Sequence, residues 1–140
     1  EGLQFELSVS LHAPNDELRS RLMPVNKRWG IDELLAACRA YTAATKRIIT
    51  FEYTVIDGVN DSRACANELA ARLRAFPCKV NLIPLSPVDH RPDFKTPPET
   101  TMMMFLDILM KAGIQTMLRR SRGKDVAAAC GQLRLRNLGK

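Results

Sequence analysis

The strongest constraint on this chain is an alternation of strand-type and helix-type stretches that runs unbroken from Leu3 to Leu118. Leu3–Leu11 sets an apolar side chain at every second position, the period of a strand. Arg47–Ile56 is dense in β-branched and aromatic residues and predicts a second strand. Lys79–Leu85 predicts a third and Ile114–Leu118 a fourth. The intervening segments have helical features. Proline and Asx residues in His12-Ala13-Pro14-Asn15-Asp16 end the first strand and cap a short helix, Asp16–Leu22. A second helix, from Ile31 to about Thr45, carries Leu34, Leu35, Cys38 and Tyr41 on one face. The third begins at a cap on Asp61 or Ser62, runs through Phe76 and is ended by Pro77. The fourth has Pro98 and Glu99 in its first turn, runs to Ala112 and stops at Gly113. The proline-rich stretch 86–98 is a surface loop, and Met102–Met104 are expected in core and interfacial packing. This β-α-β-α-β-α-β order predicts an α/β fold of mainly parallel strands joined by right-handed helical crossovers.

In parallel α/β sheets and barrels, chemistry gathers beyond the carboxyl ends of the strands. Four loops fall there: 10–13, 57–61, 84–87 and 121–130. With 140 residues and no internal repeat or low-complexity linker, the chain reads as one unit, 1–140. It has no apolar run of membrane-spanning length and no basic-then-apolar leader pattern. It starts in mid-pattern without an initiator Met, so it is expected to be part of something longer.

The four cysteines, Cys38, Cys65, Cys78 and Cys130, are widely and unequally spaced, with no Cys-x-x-Cys pair. That argues against a structural zinc site and against a disulfide framework, and fits a reducing cytoplasm. Cys38 and Cys65 sit in predicted helices and are expected in the core. Cys130 differs. It follows an alanine run, precedes Gly131, and lies just downstream of Arg119, Arg120, Arg122 and Lys124. Cationic neighbours favour the nucleophilic thiolate, and small neighbours leave the sulfur open to approach. The residues alone also allow a small buried hydrophobe. The formal net charge of +6 is concentrated toward this end and suits a polyanionic partner.

Five blocks, in this order, carry a resemblance: Ser-Leu-His-Ala-Pro-Asn-Asp-Glu-Leu-Arg (10–19), Leu-Met-Pro-Val-Asn (22–26), Glu-Tyr-Thr-Val-Ile-Asp-Gly-Val-Asn-Asp (52–61), Val-Asn-Leu-Ile-Pro (80–84) and Ala-Ala-Cys-Gly-Gln-Leu (128–133). Over nearly its whole length the chain resembles the carboxyl half of the radical S-adenosylmethionine RNA methyltransferases, which methylate carbon 2 of adenine in 23S rRNA and tRNA. The resemblance implies the carboxyl-terminal part of a partial (β/α) radical-SAM barrel. It also implies that Cys130 is a methyl carrier. One S-adenosylmethionine would methylate its sulfur, and a second, cleaved reductively at a [4Fe–4S] cluster, would yield a radical that takes hydrogen from the S-methyl group. The methylene radical would add to the adenine ring, and a second cysteine would release the product and leave a disulfide.

By the same resemblance, cofactor contacts fall on Ser10, Leu11 and His12. A further contact, usually an Asn, falls on Ser86, whose hydroxyl lacks the paired geometry of an amide. Arg119, Arg120, Arg122 and Lys124 are the expected RNA-binding residues, with the target base unstacked to reach the sulfur. The Cys-x-x-x-Cys-x-x-Cys cluster motif, the Gly-Glu-Pro motif and the resolving cysteine's segment do not occur here. They lie upstream in the family, so the chain alone is expected to hold no metal and to be inactive, with electrons coming from an external donor. Two alternatives remain open: a carbon-8 adenine methyltransferase of the same superfamily, and a non-catalytic RNA-binding α/β module.

Overall fold

A computed structural model describes residues 7–23, 26, 28–75, 77–86 and 94–119. Within them, β1 (Ser8–Ser10), β2 (Ile49–Val55), β3 (Cys78–Pro84) and β4 (Gln115–Leu118) form one four-stranded sheet in the order β1-β2-β3-β4, with every neighbouring pair parallel. Helices α1 (Asp16–Leu22) and α2 (Ile31–Thr45) connect β1 to β2, α3 (Arg63–Leu73) connects β2 to β3, and α4 (Glu99–Lys111) connects β3 to β4. Strand order follows chain order, and α2, α3 and α4 pack on one face of the sheet.

The ladder registers separate the two faces. Ile49, Phe51, Tyr53 and Val55 of β2 pair with Cys78, Val80, Leu82 and Pro84 of β3. Apart from Pro84, all of these join Ile31, Leu35, Leu69, Phe105 and Leu109 of the helices in the main core. Alternation then directs the intervening residues to the opposite face. Two transverse rows result: Ser8, Thr50, Lys79 and Gln115, and next to it Ser10, Glu52, Asn81 and Met117. Parallel sheets are ordinarily apolar on both faces. Here the face away from the helices is mainly polar, with Ile83 and Met117 as its apolar members.

The elements match the expected ones, with shifts that have local causes. The first strand keeps only Ser8–Ser10 of the predicted Leu3–Leu11, residues 1–6 lying outside the described residues. Leu11 leaves the ladder because the chain turns at His12, where φ is +60°. The third helix ends at Leu73 rather than Phe76, so Pro77 bounds the linker and does not stop the helix. Of its two candidate caps, Ser62 is the one used, its Oγ accepting from the Cys65 N–H at 3.0 Å. The fourth helix ends as expected: Gly113, at φ +86°, reverses the chain into β4. The methionine run divides, with Met102 in the core and Met103 exposed, because a helix cannot turn consecutive residues inward. A smaller cluster, Leu22, Met23, Ile56 and Leu85, lies where α1 ends and β2 and β3 run out, so α1 packs over the carboxyl edge of the sheet.

Candidate active site

Parallel pairing brings the ends of β1, β2, β3 and β4 to one edge. Ser10, Leu11 and His12 leave β1 there, the 57–61 loop leaves β2, Leu85 and Ser86 leave β3, and Arg119 leaves β4. Three of the expected loops are therefore together. Cys130, Arg120, Arg122 and Lys124 lie outside the described residues. Arg119 is exposed, and its N–H donates to the Leu82 carbonyl at 2.8 Å, carrying the β3–β4 ladder one residue further.

The exit from β1 is held from several sides. The N–H groups of Leu11 and His12 both donate to the Glu52 carbonyl, at 2.9 and 3.4 Å. The Arg19 guanidinium, on α1, donates from Nη2 to the Ser10 carbonyl at 2.9 Å and from Nε to the Leu11 carbonyl at 3.2 Å. The His12 carbonyl accepts from Asn60 Nδ2 at 2.8 Å. Nδ2 of Asn60 also donates to the Thr54 carbonyl at 2.8 Å, while its Oδ1 accepts the Ile56 N–H at 2.7 Å. Asn60 is fully buried and uses its amide completely, as a buried amide must. Tyr53 extends this into the core, its hydroxyl donating to the Asn60 carbonyl at 2.7 Å. Burial pushes the Tyr53 phenol well above its ordinary pKa, so it remains a donor.

His12 has a defined tautomer. Its Nδ1 accepts the Thr54 N–H at 3.0 Å, so the neutral imidazole carries its proton on Nε2. Nε2 is then the donor of the ring. Leu11 is different: its side chain is in the core, and its N–H and carbonyl are both engaged within the chain. Ser86 is buried at the end of β3, and the Leu85 carbonyl beside it accepts from Thr96 Oγ1 at 2.7 Å.

Behind Arg19 lies a second polar relay. Nη1 of Arg19 donates to Asn26 Oδ1 at 3.0 Å, and Asn26 Nδ2 donates to Asp16 Oδ1 at 3.0 Å and to Ser20 Oγ at 2.9 Å. Asp16 Oδ1 also accepts the Ile31 N–H at 2.7 Å, fastening α2 to α1. A Cβ at Gly30 would come within 3.2 Å of that oxygen, which is why glycine precedes α2. The Ile31 N–H, then the Asn26 amide, hold the Asp16 carboxyl below its ordinary pKa of 3.8. Because the unfolded chain takes up the proton first, this contribution to stability is present near neutrality and lost as pH falls through and below about 4. In urea titrations from pH 6 down to pH 3, Asp16→Asn is therefore expected to lose less stability on acidification than the unaltered protein. Parallel losses would show that the contact does not contribute.

Sequence reading missed Arg19, Asn26 and Asn60, whose side chains hold the carboxyl edge together. A basic residue in the last turn of a helix normally complements the helix dipole in solvent. The missed signal was that carbonyls leaving a buried strand end need donors, and α1 is the nearest element that could supply them. Glu52 is half-buried between Ser10 and Asn81, and its carboxylate makes no hydrogen bond or ion pair to a described residue.

The described thiols are unsuited to catalysis. Cys38, Cys65 and Cys78 are free and buried. Burial, then the neighbouring Cys38, pushes the Cys78 thiol up to about 11, and burial raises Cys38 as well. Among the described residues no group of three or more His, Cys, Asp or Glu could hold a metal ion, and no helix is long and apolar enough to cross a membrane. A cavity of about 290 Å³ beside Trp29, Leu34 and Ala37 touches Arg19 and none of the expected cofactor contacts.

Comparison with known proteins gives the class first. A radical SAM methyltransferase from Sphaerobacter thermophilus superposes with a TM-score of 0.87 at 54% identity, over 94% of this chain and 38% of that one. A domain of a pyruvate-formate lyase-activating enzyme from Bacteroides vulgatus shares the fold at 18% identity, with a TM-score of 0.60 over 81% of this chain and 66% of that one. The fold is thus a partial radical SAM α/β fold. No family model matches the chain. Curated relatives narrow the assignment: probable dual-specificity RNA methyltransferases RlmN from Caldicellulosiruptor saccharolyticus, 49% identical over 96% of this chain, and from Alkaliphilus oremlandii, 50% identical over 97%. The chain is homologous, over nearly its whole length, to one part of the RlmN dual-specificity RNA methyltransferases, and it spans 39% of the length of these two relatives.

Proposed function

We propose that this chain is the part of a radical SAM RNA methyltransferase that carries the methyl-accepting cysteine and one wall of the cofactor site. The intact protein methylates carbon 2 of adenine in 23S rRNA and tRNA. The observation that carries this reading is a match to an RlmN-named relative from Thermoanaerobacter, 49% identical over 99% of this chain, a span that includes position 130. Three of the four cysteines are buried, which leaves Cys130 as the candidate nucleophile.

The residues of this chain suit S-adenosylmethionine. Ser10, the Nε2–H of His12 and Ser86 gather at the carboxyl edge, and Glu52 adds a carboxylate on the face shared with Ser10, complementary to a cationic cofactor. Bound there, the cofactor would supply a one-carbon unit and, with a cluster, radical chemistry that adenine carbon 2 requires because it is no nucleophile. A [4Fe–4S] cluster does not fit the described residues of this chain, whose buried cysteines are scattered. Its ligands and the resolving cysteine are assigned to the rest of the protein, and the isolated chain is inactive. Arg119, exposed at the end of β4, opens the basic run that continues with Arg120, Arg122 and Lys124 and meets RNA phosphates. Electrons come from an external donor in the cytoplasm.

Mass spectrometry tests this directly. Peptides of the intact protein incubated with S-adenosylmethionine should show one added methyl group on the Cys130 peptide and none on those of Cys38, Cys65 or Cys78. An unmodified Cys130 in protein that methylates RNA would rule out the carrier role, and methyl at carbon 8 of the product would reassign the regiochemistry.

A further inference from the structure

We propose that Arg19 and Asn60 are positioning residues, which together hold the carbonyls of Ser10, Leu11 and His12 and so set where the Ser10 and His12 side chains point. This rests on the reading of Ser10 and His12 as cofactor contacts. The motif blocks contain both residues, but a role for them emerges only from the geometry.

Three successive carbonyls are each taken by a buried side chain: Ser10 and Leu11 by Arg19, His12 by Asn60. The two clamps come from different elements, α1 and the loop after β2, so the segment is gripped from two directions. The neighbouring N–H groups of Leu11 and His12 are engaged by the Glu52 carbonyl. With the Leu11 and His12 N–H groups and all three carbonyls engaged, the backbone that carries the Ser10 and His12 side chains is held in place.

The grip also fixes an uncommon backbone. His12 sits at φ +60°, a region that residues other than glycine occupy only at a cost when nothing supports them. Asn60 supports it on the carbonyl side and the Thr54 N–H on the ring side, which together orient Nε2. Arg19 is 5% exposed and makes no direct ion pair among the described residues; the Asp16 carboxylate reaches it through Asn26. Burying a guanidinium chiefly against neutral acceptors is unfavourable for stability alone compared with an apolar residue. Rigid support for a ligand-facing segment explains its placement.

The test uses the intact protein with Arg19→Lys, Arg19→Met and Asn60→Asp, each assayed for equilibrium binding of S-adenosylmethionine well below its unfolding temperature, with the thermal midpoint measured alongside. Lys keeps the charge but not the forked donors; Asp keeps the shape of Asn but turns an acceptor toward two carbonyls. Affinity is expected to fall at least tenfold in Arg19→Met and Asn60→Asp, with Arg19→Lys between Arg19→Met and the unaltered protein. Unchanged affinity in the folded variants, whatever their midpoints, would overturn the proposal by reducing both residues to structural parts. Should Arg19→Met fail to fold, Arg19→Lys decides alone: unaltered binding there overturns the role of Arg19. If the unaltered protein binds no S-adenosylmethionine, the functional reading itself fails, an outcome distinct from failure of the clamp.

Discussion

Replacing Cys130 with alanine in the intact protein is expected to reduce RNA methylation by more than roughly a thousandfold, the scale seen when a covalent participant is removed from an enzyme. No other cysteine of this chain can substitute. Cys38, Cys65 and Cys78 are buried among the core side chains, and burial raises the thiols of Cys38 and Cys78, disfavouring the thiolate. Cys130, by contrast, follows Arg119, Arg120, Arg122 and Lys124 in the sequence. Transfer of labelled methyl from S-adenosylmethionine to RNA measures the effect. RNA binding should persist, since the basic run is untouched, so the loss should fall on turnover. Methylation within tenfold of the unaltered level would remove the sulfur from the reaction.

Phe105→Ala is expected to cost about 3–5 kcal/mol of stability, the range for deleting a buried aromatic side chain. Phe105 is fully buried on α4, and its ring centroid lies 5.0 Å from that of Tyr53 at a tilt of 41°. The substitution removes both the buried area and the ring pair, whose geometry adds to the area term. Its neighbours sit on a sheet pinned by parallel ladders and cannot collapse into the space. Urea unfolding followed by circular dichroism would measure the change. A loss below about 1.5 kcal/mol would mean that α4 can shift toward β2 and refill the gap.

How much of this was legible in the sequence differs by level. Strand and helix types could be read because period 2 and period 3.6 differ, and because Ser62 and Gly113 stand where a cap and a left-handed stop belong. Boundaries were less legible. Nothing in Leu-Gln-Phe-Glu-Leu-Ser-Val-Ser-Leu marks where pairing ends, and the side chain that holds the carbonyl at the His12 turn, Asn60, comes 48 residues later. The convergence of Ser10, His12 and Ser86 on one edge followed from parallel topology alone. The carbonyl clamp did not, because Arg19 has the sequence appearance of a solvated helix residue and its burial arises only when α1 folds across the strand ends. The two-faced character of the sheet was visible in principle: Ser8, Ser10, Thr50, Glu52, Lys79 and Asn81 alternate with apolar residues, and a central parallel strand has little reason to carry a carboxylate otherwise.

The Tyr53 hydroxyl that ends on Asn60 has a consequence for how damage spreads. It makes the hydrophobic interior and the carboxyl edge continuous: Phe105 packs on the Tyr53 ring, the Tyr53 hydroxyl holds the Asn60 carbonyl, and the Asn60 amide holds the His12 carbonyl. A genetic screen for lost catalysis should therefore recover interior substitutions far from any reactive atom, and some of those variants should be folded, soluble and inactive.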